Sequence, residues 1–210
     1  QRVHSVAFHP EGRRLAVASG TPGRLGELKL FDVNSGELLE DLWVSHDSVL
    51  SLAFSPDGKY VACGDTTGSI VAFSIDGAAT QIWLAQDHSD WVNSVAWSSD
   101  GARLVSASRD RTCKLLDGRT GALSLTFNGH QQNVTVALFA HDGQHVISAG
   151  QEPSLRIWRI NDGTQTHELK DLREEITCLL LLDSPNLLVC SADNYLREID
   201  ISQGHWATNH

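Results

Sequence analysis

Ten histidines and four cysteines are the residues of this 210-residue chain best able to hold a metal or move a proton. His46, His88 and His130 stand 42 residues apart. His141 and His145 have the spacing H-x3-H, which on a helix would put two zinc ligands on one face. The surrounding "FAHDGQHVI" reads instead as a hairpin turn, where that spacing leaves both side chains in solvent. Cys63, Cys113, Cys178 and Cys190 form no CxxC, no metal-type spacing and no CxxCH haem attachment site. Each falls in an apolar, strand-like run, the usual setting of a buried free thiol; a Cys178–Cys190 bridge across one hairpin is the alternative. Glu174 and Glu175 are adjacent, and neighbours in an extended segment point apart, so they make a poor general acid–base pair. There is no G-x-S-x-G elbow, Walker-type loop, H-E-x-x-H motif or dinucleotide fingerprint. The expectation is a protein without catalysis, cofactor or metal.

The elements that position these residues repeat. A strand-like run ends on an aromatic at Phe8, Phe54, Trp97 and Phe139, with Leu180 in the fifth copy. The turns "HPEG", "SPDG", "SSDG" and "AHDG" follow, with "LLDSPN" in the fifth. A second alternating run comes next, then a third ending "LKLFD", "IVAFS", "CKLLD", "LRIWR" and "LREID". A turn glycine recurs at Gly36, Gly77, Gly121, Gly163 and Gly204, followed in most copies by a fourth short run. Each unit is thus four short strands joined by Gly/Asp/Asn/Pro turns. The expected units are 1–43, 44–85, 86–127, 128–170 and 171–210. One four-stranded unit cannot cover both of its faces, whereas units stacked around an axis can, as in a β-propeller. The fold class is all-β.

Composition narrows the function. The chain is 41% hydrophobic and 20% charged, ordinary for a globular domain. No apolar run approaches the ~18 residues of a membrane span. The formal net charge of −10, with basic residues scattered singly, argues against nucleic acid as a partner.

The period, the Gly-His opening and the aromatic-Asp close resemble WD40 repeats over essentially the whole chain, in five copies. The resemblance implies blades braced by a hydrogen-bonded set of His, a strand Ser/Thr, a turn Asp and a Trp. The fourth copy offers His130, Ser148, Glu152 in place of Asp, and Trp158. The third offers His88, Ser106 and Asp110, with Leu116 in place of Trp. The second keeps His46, but has Phe73 and Thr67 at the Trp and Asp positions, with Asp65 two residues away. The fifth keeps Asp193, has Ile199 for Trp, and lacks the His. The first has Phe31 and Asp32 and an insertion, "GTPGRLGE" (20–27), which reads as an enlarged exposed loop.

The resemblance also implies a loop-rich face built from the connections into each first strand and from the turns between second and third strands. By repeat position that face carries Arg2, His4, Ser48, Leu50, Trp91, Asn93, Arg109, Asn133, Thr135, Gln151, Glu175 and Thr177. Trp91 and Arg109 stand out, because exposed Trp and Arg dominate interface energetics. The expected function is a non-catalytic scaffold that binds a protein or peptide there. The alternative is the propeller module of a larger bacterial redox protein whose c-type haem lies outside this sequence. It rests on a likeness of "LAVASGTPGRLGELKLFDVNSGELL" to bacterial WD40 arrays joined to cytochrome segments. A hydrolase with its site in the channel is a third reading. The first suits a cytoplasmic protein and the second a periplasmic one. "ATNH" followed by "QRVHSVAF" would read as one more repeat in phase. That favours a stretch of a larger ring of about seven blades; five blades that close on themselves or pair with a second copy are the other reading.

Overall fold

A computed structural model describes residues 2–170, 172–182, 186–200 and the backbone of 205–209. Every regular element described is a strand, and the strands form five four-stranded antiparallel sheets. The first sheet comprises β1 (Arg2–Phe8), β2 (Arg14–Thr21), β3 (Leu25–Asp32) and β4 (Leu38–Ser45). The second comprises β5 (Val49–Phe54), β6 (Tyr60–Asp65), β7 (Ile70–Ser74) and β8 (Thr80–Ala85). The third holds β9 (Val92–Trp97), β10 (Arg103–Ser108), β11 (Cys113–Asp117) and β12 (Leu123–Phe127), and the fourth β13 (Val134–Phe139), β14 (His145–Gly150), β15 (Leu155–Arg159) and β16 (Gln165–Leu169). The fifth holds β17 (Ile176–Leu181), β18 (Asn186–Ser191), β19 (Leu196–Asp200) and β20 (His205–Asn209). Strand order follows chain order in every sheet. Gly204 and part of the turn between β17 and β18 lie outside the described residues.

Turn chemistry sets the repeat. Gly12, Gly58, Gly101 and Gly143 close the first hairpin of four successive sheets with φ between 62° and 71°, a backbone that side chains disfavour. Beside three of them Asp57, Asp100 and Asp142 accept amide protons two residues on, fixing the turn without tertiary help.

The apolar core is divided among the joints between sheets. One cluster packs Leu28 and Leu30 of the first sheet on Val49, Leu52 and Val61 of the second. The next sets Ile70 and Ala72 against Val92, Val95 and Leu104. A third joins Val105 and Leu115 to Val134 and Ala137, and a fourth joins Ile147 and Leu155 to Ile176 and Leu187. Sheets adjacent in sequence therefore bury their facing surfaces on each other. That arrangement is why the strands read as almost continuous apolar runs rather than clean alternations.

The first strands of successive sheets lie side by side, and polar atoms cross between them. Asn93 Nδ2 donates to Val134 O at 2.8 Å, and Thr135 Oγ1 donates to Ile176 O at 2.7 Å. The Trp97 indole donates back to Ala53 O at 3.1 Å.

The strand ends and the candidate binding face

The hairpins between second and third strands bring an acidic residue back to the connection that enters each sheet, and the bracing set forms there. In the third sheet His88 Nδ1 lies 2.8 Å from Asp110 Oδ2, and His88 Nε2 lies 2.7 Å from Ser106 Oγ. This geometry suits an Nδ1–H that donates to the carboxylate and an Nε2 that accepts from the hydroxyl. Burial works against the Asp110 charge, yet hydrogen bonds from His88 and Thr112 hold its carboxyl well below the usual carboxylate range. Leu116 fills the Trp position, fully buried, so the indole donor is replaced by apolar packing.

The fourth sheet carries the indole. Trp158 Nε1 donates to Ser148 Oγ at 2.7 Å, and Ser148 Oγ lies 2.7 Å from His130 Nε2. Glu152 Oε2 is 3.7 Å from His130 Nδ1, beyond hydrogen-bonding reach. The carboxylate instead accepts from the Gln131 and Gln132 amides and pairs with Arg156 at 2.7 Å. Burial above all, and the nearby Arg156 charge after it, push the His130 pKa down to about 4. Pro153 stands at the turn position that Gly68, Arg111 and Asn194 occupy with positive φ. A proline ring cannot adopt that backbone, so this turn takes another form, with the longer Glu in place of Asp.

The second sheet has no such set. His46 is exposed, in contrast to the structural role its spacing suggested. At the positions that meet His88 in the third sheet, the second has Cys63 in place of Ser106 and Thr67 in place of Asp110. Cys63 Sγ donates to Val71 O, and burial pushes its thiol pKa up. Asp65, almost fully buried, ties the turn through Thr67 and the Ser69 amide.

The fifth sheet replaces the missing His with Arg197. Its guanidinium donates to Ser191 Oγ at 2.7 Å and to Asp193 at 2.5 and 3.0 Å. These contacts with Arg197 and Ser191 hold the Asp193 carboxyl well below its ordinary range. Sequence reasoning missed both Arg156 and Arg197. The signal was present, since a cation recurs on third strands at Lys29, Lys114, Arg156 and Arg197; the last three are buried.

The insertion is not an enlarged loop. It lengthens one hairpin, giving β2 and β3 eight residues each around the tight turn in which the Arg24 amide donates to Thr21 O. Gly20 and Gly26 are required because a Cβ would strike Ser48 Cα and Asp47 O. Burial opposes the Asp47 charge, but the Ser48 and Gly23 amides hold its carboxyl below the ordinary value, pinning the hairpin tip.

Among the residues of the expected face, Arg2, His4, Arg109, Gln151 and Thr177 are exposed, as is Trp91. Leu50 and Glu175 are half-buried. Ser48 is buried beneath the lengthened hairpin and offers no surface. Asn93, Asn133 and Thr135 are half-buried between sheets, where Asn93 donates to Asn133 Oδ1 at 2.7 Å. Trp91 is 43% exposed, and the Arg109 guanidinium lies 4.8 Å from its ring centroid. Asp90 Oδ2 holds the same guanidinium at 3.7 Å, and the Arg109 amide donates to Trp91 O at 2.9 Å. Asp90 was the member of this trio that sequence reasoning passed over.

Other chemistry-bearing residues are placed more plainly. His141 Nε2 meets Leu182 O, and His145 pairs with Asp142, so the two do not converge on a ligand. Cys63 and Cys113 are buried, with the Cys113 thiol pushed up to about 12 by burial. Cys178 is exposed, a departure from the buried setting expected for all four, and is paired in register with Cys190; both are free. Among the described residues no group of three or more His, Cys, Asp or Glu could hold a metal, and no helix could cross a membrane.

Five antiparallel sheets of four strands, with a His–Ser–Asp set at the strand ends of the third and a His–Ser–Trp set in the fourth, define a repeat protein of the propeller-blade class. The WD domain, G-beta repeat family matches residues 38–74, 80–117 and 121–159, and the chain belongs to that WD40 family. It is 28% identical to a WD repeat-containing protein 55 homolog of Aedes aegypti, over 76% of this chain and 34% of that one. It is 32% identical to a chromatin assembly factor 1 subunit FAS2 homolog of Oryza sativa subsp. japonica, over 75% of this chain and 33% of that protein. With autophagy-related protein 16 of Arabidopsis thaliana it shares 27% identity over 85% of this chain and 35% of the relative. The chain thus spans about a third of the length of these curated relatives.

Proposed function

We propose that the protein is a non-catalytic scaffold that holds a protein or peptide partner on the face bearing Trp91 and Arg109. The observation that carries this reading is the exposed Trp91–Arg109–Asp90 trio. A large apolar ring and a guanidinium are held in fixed relation there by a backbone bond and an ion pair. Such pre-ordered aromatic and Arg side chains lose little conformational freedom on binding, and they are the types that anchor interfaces. The scaffold underneath is rigid strand, and loops on rigid strands are where recognition collects. One relative is named as a subunit of a chromatin assembly factor, which agrees with a role in holding partners.

The test compares proteins retained by the native chain with those retained by the Trp91→Ala/Arg109→Ala variant, with far-UV circular dichroism as the folding control. Loss of specifically retained partners supports the reading. Unchanged retention by a folded double variant removes this face from contention.

A further inference from the structure

We propose that Cys178 and Cys190 form a dithiol site, which a small-molecule disulfide converts reversibly into an intrachain bridge that stiffens the hairpin of β17 and β18. The two residues stand directly opposite each other in the antiparallel ladder, and both are free thiols. Opposed residues in such a ladder share a face, with Cα atoms about 4.5–5.5 Å apart. That separation falls inside the range of about 4.4–6.8 Å that a disulfide spans. Both partners belong to one hairpin, so the pairing holds whatever lies against the sheet, and it is independent of the Trp91 face.

The repeat marks this pair as a departure on both strands at once. At the same register the other sheets oppose Ser5 to Ala18, Ser51 to Gly64, Ser94 to Ala107 and Val136 to Ala149. The second-strand member is Ala or Gly in all four, and only the fifth sheet sets sulfur against sulfur. Cys63 lies opposite Leu52 and Val71, and Cys113 opposite Ala107 and Phe127, so neither faces another thiol. The reach is visible in the second sheet, where a Cβ on Gly64 would lie 2.9 Å from Ser51 Oγ. At this register a γ atom on the first strand therefore leans over the β carbon opposite.

The chemistry is thiol–disulfide exchange. Partial burial, and after it the Cys190 thiol alongside, push the Cys178 thiol up, so the pair rests as protonated thiols until an exchange partner arrives. One thiolate of the pair attacks a sulfur of the small disulfide RSSR, forming a mixed disulfide and expelling RS⁻. The second thiol gives its proton to solvent, attacks the protein sulfur of the mixed disulfide and expels the other RS⁻. The chain loses two electrons and two protons, and RSSR takes them up as two RSH. In the third and fourth sheets Ser106 and Ser148 tie the second strand to a His of the entering connection. Val189 holds that register in the fifth sheet, opposite Leu179, and one residue along the bridge would tie β17 to β18 covalently.

The test treats the folded chain with glutathione disulfide in the absence of denaturant, then counts thiols by alkylation in urea and maps the linkage by mass spectrometry. The native chain is expected to fall from four free thiols to two, with Cys178 joined to Cys190. It should become about 2 Da lighter through the loss of two hydrogens and retain no glutathione, and dithiothreitol should restore all four thiols. Hydrogen exchange in the bridged chain is expected to slow in β17 and β18 and to stay unchanged in β9–β11. Cys178→Ser and Cys190→Ser, each with one sulfur left at the site, are expected to close no bridge. A native chain that keeps four thiols, or that stops at a glutathione adduct, overturns the proposal. So does a link to Cys63 or Cys113, a link between two chains, or a bridge that forms only once urea has unfolded the chain. A single variant that still closes a bridge, or a bridged hairpin that exchanges as fast as the reduced one, overturns it as well.

Discussion

Ser148 Oγ accepts a hydrogen bond from the Trp158 indole and lies against Nε2 of His130, so one hydroxyl ties two strands to the connection that enters the sheet. Because every member is buried, removing one leaves the others unsatisfied. Trp158→Phe is expected to lower stability by about 2 kcal/mol, part lost hydrogen bond and part lost packing, measurable by urea denaturation. His130 also predicts a pH dependence. Its folded pKa of about 4 lies below the ordinary 6.5, so between those values the unfolded chain binds the proton and the folded chain resists it. Stability is therefore full above pH 6.5 and falls as the pH drops toward 4, by about 3 kcal/mol from this residue. Urea midpoints recorded across that window should decline for the native chain and flatten for His130→Asn. Further loss below pH 4 belongs to carboxyls held below their ordinary range, Asp110 and Asp193 among them, which stabilise the fold only while they stay ionised.

At the scale of strands and turns, glycines that share a positive φ should not respond alike. Gly12 (φ 71°) faces open space, whereas a Cβ on Gly68 (φ 86°) would lie 2.4 Å from His88 O. Gly12→Ala should cost about 1 kcal/mol from backbone strain alone, and Gly68→Ala distinctly more; thermal melts of the two separate the effects. In the fifth sheet Arg197→Leu leaves Asp193 without its cation, and hydrogen exchange should speed up in β17–β19 before β9–β11. Most of the strand pattern was legible in the sequence because turn signals and apolar runs are local. The lengthened first hairpin was not. Its glycines read as loop residues, and only the approach of Ser45–Ser48 shows why they stand in strands. The Arg197 contacts were equally hidden, since the resemblance directs attention to a His and a Trp, and a buried Arg has no local signature. The loop-face residues could be named from repeat position, but their exposure could not, because Ser48, Asn93 and Thr135 are covered by a neighbouring sheet.

For the molecule as a whole, division of the core among four joints makes stability a sum of neighbour terms. Leu30→Ala in the joint between the first and second sheets, and Leu187→Ala between the fourth and fifth, should each cost about 2–5 kcal/mol. Combined, they should add to within about 0.5 kcal/mol, as distant sites do, provided the double variant still unfolds in one transition. A shortfall in the sum would mean that the sheets melt separately. Five similar units in one chain also face a kinetic hazard, since any second strand could dock beside the wrong first strand. The bracing sets work against that error. One sheet uses His–Ser–Asp, another joins Trp to His and Ser and turns its Glu to an Arg, a third uses Arg, and the second sheet offers a thiol where a histidine would look for a hydroxyl. A strand docked in the wrong sheet would bury polar atoms without partners. Divergence among the repeats thus acts as an address written into each unit, steering every strand to its own sheet as the chain folds.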